Sequence, residues 1–326
     1  MKICIYGAGA IGSYLAVMLA RGGAEVTAIA RGAQLQAIRR DGLHLHTQEG
    51  EFSARLLAAE HPAELGPQDA VIVAVKAPAL PSVAQGIGAL LGRDTSVAFA
   101  MNGIPWWYFH DLSGPLDGQR LPRIDPGGAM WQAVGPERSL AGVVYAPCTV
   151  TAPGVVQRDG AEGRIVLGGP DRRSPQRAEP IAALLRAGGM RADVSDEIRR
   201  ALWEKLLRLL ASGPMAVLTQ APPRDIFTDP VLVAASQRMV EEAAGIARAL
   251  GCPIEGDLEA SMRANRNAAH KTSILQDLEL GRPMEIDGIY DVLLHLASLV
   301  DVKVPTVALL VALTKARARA AGLYAG

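Results

Sequence analysis

A glycine loop between a short apolar run and an amphipathic helix is the feature that most constrains the fold of this chain. Residues 2–6 form a β-rich run, and residues 11–21 place apolar side chains on one helical face. The loop has the spacing G-x-G-x-x-G and consists of Gly7, Ala8, Gly9, Ala10, Ile11 and Gly12. In a strand–loop–helix unit, these glycines allow a tight turn, a close approach to a pyrophosphate and close helix–strand packing. We therefore expect a dinucleotide site here; the alternative is that the glycines serve only a turn.

The end of the second predicted strand indicates which dinucleotide binds. Residues 25–30 form the next β-rich run, and Arg31 and Gly32 follow it. A carboxylate at this point would accept a hydrogen bond from the ribose of NAD. A guanidinium instead pairs with a 2′-phosphate and stacks on adenine. Arg31 therefore predicts NADPH rather than NADH, the alternative being an ordinary surface arginine.

Strands and helices alternate through the first hundred residues. Residues 70–75 and 96–100 are apolar throughout, as expected of strands covered on both faces, and a helical stretch over 79–91 separates them. Residues 43–47 and 52–57 flank a polar turn and predict a hairpin. This alternation predicts a Rossmann-type, doubly wound α/β domain with a parallel sheet.

The pattern changes twice further along the chain. Valine and threonine alternate with glycine and proline over residues 130–167, which predicts antiparallel strands closing the first domain. From Ser195, a candidate cap for a helix with Asp196 and Glu197 in its first turn, helical patterns dominate to the end. We therefore expect an NADP-binding domain over residues 1–193 and an all-helical substrate and catalytic domain over residues 194–326.

The composition favours a folded protein with a small-molecule ligand. Of the 326 residues, 49% are hydrophobic, which suffices for a large core. The 33 basic residues balance 33 acidic ones, so no strong field attracts nucleic acid or an anionic membrane, and no apolar run is long enough to span a bilayer. Three scattered cysteines without C-x-x-C spacing argue against disulfides and a metal site, and favour the cytoplasm. We expect a monomer or a homodimer.

Several short motifs, taken together, resemble the ketopantoate reductase (2-dehydropantoate 2-reductase) family over essentially the whole length. The resembling stretches are residues 2–12, 30–32, 75–77, 102–103, 201–206, 273–277 and 285–287. The resemblance implies reduction of a 2-keto acid by NADPH, with ketopantoate as the default substrate. It also implies a nucleotide-binding domain followed by a helical one.

The resemblance also implies roles for individual residues. Lys205 is the implied general acid, Glu285 and Ser273 contact the substrate, Asn102 positions substrate and nicotinamide, and Lys76 lies on the cofactor side. An ammonium suits the first role, because hydride addition to a ketone builds negative charge on its oxygen.

Each of these residues also has a structural interpretation. Lys205 could extend from the edge of a buried helical face, and Glu285 could complement a helix dipole. Ser273 could bond to local backbone, and Asn102-Gly103 could form an ordinary turn.

The chain departs from the family at the substrate pocket. The family carries Asn one and two turns after the catalytic Lys, where Leu209 and Gly213 stand here, and Tyr290-Asp291 replaces an Asn-Gly pair. Losing amide side chains removes hydrogen bonds that hold a hydroxylated keto acid, so we expect a more apolar pocket. The alternatives to ketopantoate reduction are a reductase of a less polar 2-keto compound and a non-catalytic NADPH sensor.

Overall fold

The computed structural model describes residues 1–160, 162–254 and 270–325. Residues 1–101 and 105–198 form one compact unit, and residues 102–104 and 199–326 form a second. The division into domains after residue 193 stays a prediction. The predicted helical pattern over residues 255–269 lies outside the described residues.

The first unit contains the strands of the molecule, within the part of the chain that the structure describes. These are β1 (Lys2–Tyr6), β2 (Glu25–Ile29), β3 (Leu43–Thr47), β4 (Gly50–Ala54), β5 (Leu57–Ala59), β6 (Gln68–Val73), β7 (Leu91–Phe99), β8 (Ser139–Tyr145), β9 (Cys148–Ala152), β10 (Val155–Arg158), β11 (Arg164–Gly168) and β12 (Arg191–Val194). Eight of these described strands form the main sheet in the order β12-β11-β8-β7-β6-β1-β2-β5. β1 lies between β2 and β6 and is parallel to both, so the predicted doubly wound parallel sheet is confirmed.

The helices of the first unit connect these strands. They are α1 (Ala10–Arg21), α2 (Gly32–Asp41), α3 (Leu80–Gly86), α4 (Ala129–Ala133) and α5 (Ser174–Ala187), with 3-10 turns at Pro62–Glu64, Ala77–Ala79, Ile87–Leu90, Pro126–Gly128 and Pro136–Arg138. The helical stretch expected over 79–91 is therefore α3 followed by a 3-10 turn. Leu15 and Leu19 of α1 pack into the same buried core as Ile5 of β1 and Ile181 of α5.

The expected antiparallel closure of the first domain is correct only in part. β8 runs parallel to β7, and the antiparallel pair of the main sheet is β8 with β11. The hairpin of β9 and β10 leaves this sheet and joins β3 and β4 in a second one, ordered β4-β3-β10-β9. The expected strand over residues 52–57 also divides, because β4 pairs with β3 whereas β5 pairs with β2. Alternating valine and threonine predicts strands but does not specify their partners.

Helices are the regular elements that the described residues of the second unit form, which confirms the predicted helical region. Its helices are α6 (Ile198–Thr219), α7 (Pro223–Ile226), α8 (Pro230–Ala249), α9 (Ser273–Glu279), α10 (Val292–Leu299) and α11 (Pro305–Ala320), and a π-helical turn covers Asp287–Asp291. α6 begins at Ile198, so Asp196 and Glu197 precede it rather than occupy its first turn. The Glu197 amide donates to Ser195 Oγ (3.0 Å), which forms a local turn before the helix.

Among the described residues, none of the helices combines the length and apolar character needed to cross a bilayer. The three cysteines form no disulfide: Cys4 is buried, and Cys148 and Cys252 are half-buried. Burial raises the pKa values of Cys4 and Cys148 to about 12 each, so these thiols stay protonated and unreactive near neutral pH.

Candidate active site

The glycine loop connects β1 to α1 in the first unit and is shaped by close backbone packing. Gly7 adopts φ +102°, and a Cβ there would lie 2.6 Å from Val75 Cγ1. A Cβ at Gly12 would lie 2.0 Å from the Gly7 carbonyl oxygen. Both positions therefore require glycine, the first for its turn and the second for contact between helix and loop.

A side chain that the sequence did not indicate supports the same loop. Gln34 of α2 donates through Nε2 to the Ala8 carbonyl (2.8 Å) and to Ser13 Oγ (3.3 Å). Ser13 Oγ also donates to the Ala8 carbonyl (3.0 Å), and Gln34 Oε1 accepts from the Gly154 amide (2.9 Å). The Ala8 carbonyl is thus bonded within the protein. Sequence reasoning missed Gln34 because a glutamine in a helix carries no pattern of its own.

The loop fits the pyrophosphate of a dinucleotide. Gly9 is the N-cap of α1, and no side chain caps that helix. A Cβ at Gly9 would meet nothing within 4 Å, so the space in front of the helix N-terminus is open. Ala10 and Ile11, the other predicted loop residues, begin the helix. Backbone amides at an open helix N-terminus bind phosphate oxygens, so these residues would hold the pyrophosphate.

Arg31 and Lys76 lie at the ends of neighbouring elements in this unit. Arg31 is exposed, is the N-cap of α2 and donates through Nη2 to Ser82 Oγ (3.3 Å). Burial raises the pKa of Tyr6, and the positive charge of Arg31 opposes that rise, so Arg31 is near the end of β1. Lys76 follows Val75, which contacts the Gly7 position, and its Nζ is buried. Both residues therefore belong to the loop edge of the sheet, where parallel sheets bind ligands.

Lys205 lies on α6 in the second unit. Burial lowers the pKa of Lys205 to about 8, Arg208 adds to that shift, and the negative charge of Glu285 opposes it. The ammonium is therefore still protonated at neutral pH but gives up its proton far more readily than an exposed lysine. This is the condition that a general acid near pH 7 needs.

Glu285 lies in a segment that is held on both sides. Before it, the Met284 amide donates to the Leu323 carbonyl (3.1 Å). After it, Tyr324 Oη donates to Asp287 Oδ1 (2.6 Å). The residues that follow α11 thus fix the backbone on either side of Glu285. These contacts could not be predicted from the sequence, since Leu323 and Tyr324 belong to no periodic pattern.

The same segment fixes the position of Asn102. The Ile104 amide donates to the Gly288 carbonyl (3.1 Å), and Gly103 adopts φ +93° with its missing Cβ 2.0 Å from that oxygen. Only glycine fits at position 103. The residues that follow Asn102 therefore contact the stretch of chain that carries Glu285, and the role of Asn102 itself stays a prediction.

Ser273 is not connected to these residues by any hydrogen bond that the described part of the chain shows. It is exposed and is the first residue of α9. The neighbouring Thr272 caps this helix by accepting from the Leu275 amide (3.4 Å). The charges of Lys205 and Glu285 thus influence each other in the second unit. The catalytic and substrate-binding roles of Lys205, Glu285, Asn102 and Ser273 stay predictions.

Gly213 and Tyr290, two positions where the chain departs from the family pattern, fit against each other. Gly213 lies on α6, and a Cβ there would be 2.0 Å from Tyr290 Oη. Tyr290 is only 2% exposed. Gly213 therefore opens no apolar space, because the phenol of Tyr290 fills it.

Comparison with known proteins agrees with this architecture. Residues 3–106 match the family described as ketopantoate reductase PanE/ApbA, and residues 197–318 match its C-terminal part. The 2-dehydropantoate 2-reductase of Mesorhizobium japonicum is 42% identical over 99% of this chain and 100% of its own. A protein from Ralstonia solanacearum, solved as a candidate ketopantoate reductase, is 41% identical, covers 99% of both chains and has a TM-score of 0.91.

A more distant structure shares only the fold. It is a D-mandelate dehydrogenase with NADH and anilino(oxo)acetate, with 23% identity, a TM-score of 0.83, and coverage of 99% of this chain and 100% of that one.

The fold and the family match define a pyridine-nucleotide-dependent oxidoreductase that acts on a CH–OH group. The chain belongs to the ketopantoate reductase family.

Proposed function

We propose that this protein reduces a 2-keto acid to the 2-hydroxy acid with NADPH, and that ketopantoate is its substrate. The observation that carries this proposal is the burial of Lys205 within the electrostatic influence of Glu285 in the second unit, which brings the pKa of Lys205 to about 8. A dinucleotide-binding protein without catalysis needs no proton donor of this kind. This argues against the sensor alternative.

Lys205, Glu285 and Asn102 have separate roles in the proposed reaction. The nicotinamide supplies a hydride when it is bound. Lys205 donates a hydrogen bond to the substrate carbonyl oxygen, stabilises the negative charge that develops there and delivers a proton to that oxygen. Glu285 keeps the pKa of Lys205 from falling further, so that the ammonium stays charged at neutral pH. Asn102 positions the substrate through its amide.

The choice of NADPH rests on Arg31. The D-mandelate dehydrogenase structure contains NADH, so the fold by itself does not select NADPH. Arg31 is exposed at the N-cap of α2, and the chain has no carboxylate between residues 26 and 40 that could replace it. A guanidinium there stabilises a 2′-phosphate by a charge-assisted, bidentate contact.

A steady-state assay with a panel of 2-keto acids tests the proposal. We expect NADPH oxidation to be fastest with ketopantoate and to be much slower with NADH at equal concentration. Faster turnover of an apolar 2-keto compound would favour the alternative substrate class. NADPH binding without turnover of any keto acid would favour the sensor.

A further inference from the structure

Tyr290 and Gly213 form a complementary pair in the second unit. A Cβ at position 213 would lie 2.0 Å from Tyr290 Oη and 3.0 Å from Cζ. Contacts this short force one partner to move, so every side chain larger than glycine at position 213 displaces the phenol. The hydroxyl of Tyr290 therefore occupies the space in which a side chain from α6 would otherwise lie.

The Tyr290 hydroxyl stays protonated beside the proposed catalytic residues. Burial raises the pKa of Tyr290, and the negative charge of Glu285 raises it further, so Tyr290 is close to Glu285. The hydroxyl is therefore neutral near pH 7 and can act as a hydrogen-bond donor.

The position of this donor indicates which part of a substrate it can reach. Gly213 lies eight positions after Lys205, or about 12 Å along α6, so the Tyr290 hydroxyl beside Gly213 and the Lys205 ammonium serve different atoms of a substrate. The substrate carboxylate is also disfavoured near Tyr290, because Glu285 would repel it. The part of the substrate that faces Tyr290 is thus a neutral group remote from the reacting carbonyl.

We propose that the Tyr290 hydroxyl is a specificity-determining group that binds a neutral oxygen acceptor beyond the keto carbon, such as the hydroxyl of a 4-hydroxy-2-keto acid. The inference rests on the proposed function and narrows its substrate class. It also revises the expectation of an apolar pocket, since the hydroxyl supplies polarity where Gly213 and Tyr290 replace amide residues. Gly213 is then the position that admits the phenol.

A matched pair of substrates tests this assignment. Ketopantoate and 3,3-dimethyl-2-oxobutanoate differ only in the hydroxyl at C4. We expect the wild type to prefer ketopantoate by about tenfold in kcat/KM, the usual worth of one hydrogen bond. Tyr290→Phe keeps the ring and should abolish this preference, while its kcat/KM for the deoxy substrate stays within about twofold of wild type.

Two further variants separate the hydroxyl from general effects on folding. Gly213→Ala keeps the hydroxyl but displaces it, so this variant should also lose the preference. Tyr14→Phe removes the hydroxyl of another buried tyrosine, in the first unit, and should keep the wild-type ratio.

The outcomes distinguish this inference from the proposed function. Reduction of neither substrate by the wild type would overturn both. Equal reduction of the two substrates by the wild type, or an unchanged preference in Tyr290→Phe, would overturn the assignment of Tyr290 and leave the proposed function standing.

Discussion

Arg31 is the residue on which the selection of the cofactor depends. Its guanidinium is exposed at the N-cap of α2 and is bonded only weakly, to Ser82 Oγ at 3.3 Å. It is therefore free to reorient toward a phosphate without losing a strong partner.

Arg31→Ala should weaken NADPH binding and leave NADH binding nearly unchanged, because only NADPH carries the 2′-phosphate. A charge-assisted bidentate contact is worth roughly 1.5–3 kcal/mol, or about ten- to hundredfold in affinity. Fluorescence titration with both cofactors measures the effect. Arg40→Ala, at the other end of α2, is the matched control and should bind both cofactors as the wild type does. Equal losses for the two cofactors in Arg31→Ala would contradict the assignment.

A second prediction concerns how kcat/KM depends on pH, and it follows from the interaction between Lys205 and Glu285. With a pKa of about 8, Lys205 is protonated below that pH and neutral above it, so kcat/KM should fall as the pH rises through about 8. Glu285 raises this pKa, so Glu285→Gln should move the alkaline limb to lower pH in addition to any change in KM.

The control for this pH measurement is Glu279→Gln. Glu279 forms an ion pair with Lys271 (2.7 Å) in the same unit. Replacing Glu279 should therefore leave the alkaline limb of the kcat/KM profile at the same pH. If the alkaline limb of the kcat/KM profile stays at the same pH in Glu285→Gln, the Glu285 carboxylate does not raise the pKa of Lys205.

At the scale of elements, the segment around Glu285 is positioned by the residues that follow α11. Leu323 and Tyr324 form hydrogen bonds on either side of Glu285, and Lys315 of α11 forms a partly buried ion pair with Asp291. These contacts tie the segment that carries Glu285 to α11 and to the residues that follow it.

Tyr324→Phe tests whether this contact positions Glu285. Removing the donor leaves Asp287 without its bond from the phenol, which should lower the free energy of unfolding by about 1–3 kcal/mol. If Glu285 also loses its position, the pKa of Lys205 falls and the alkaline limb of kcat/KM moves to lower pH. Thermal unfolding together with the pH profile measures both effects. If the variant is less stable but the alkaline limb of its kcat/KM profile stays at the wild-type pH, Tyr324 has a purely structural role.

Local patterns predicted most elements of the fold but not their long-range partners. The apolar runs of β1, β6 and β7 indicated a parallel sheet, and the glycine spacing located the loop. The pairing of β10 with β3 joins residues far apart in sequence, and no local pattern encodes it. In the same way, Gly213 and Tyr290 were each visible as departures from the family, whereas their contact depends on the tertiary fold.

At the scale of the whole molecule, the proposed chemistry is distributed over the two compact units. The residues proposed to bind the cofactor belong to the first, and Asn102, Lys205 and Glu285 belong to the second. The family match covers part of each, which is consistent with an enzyme that needs both. A variant of a cofactor-binding residue in the first unit should therefore impair mainly cofactor binding. A variant of a catalytic residue in the second unit should impair mainly the reduction step.

Single-turnover reduction of ketopantoate by Lys205→Ala tests the central claim most directly, because it excludes product release. We expect the rate to fall by about 10²–10⁴-fold, the usual worth of a positioned acid, while NADPH affinity stays near that of the wild type. Lys205→Arg should not restore the rate, since a guanidinium does not release a proton near neutral pH. A rate in Lys205→Ala within about threefold of wild type would contradict the account and place the proton donor elsewhere.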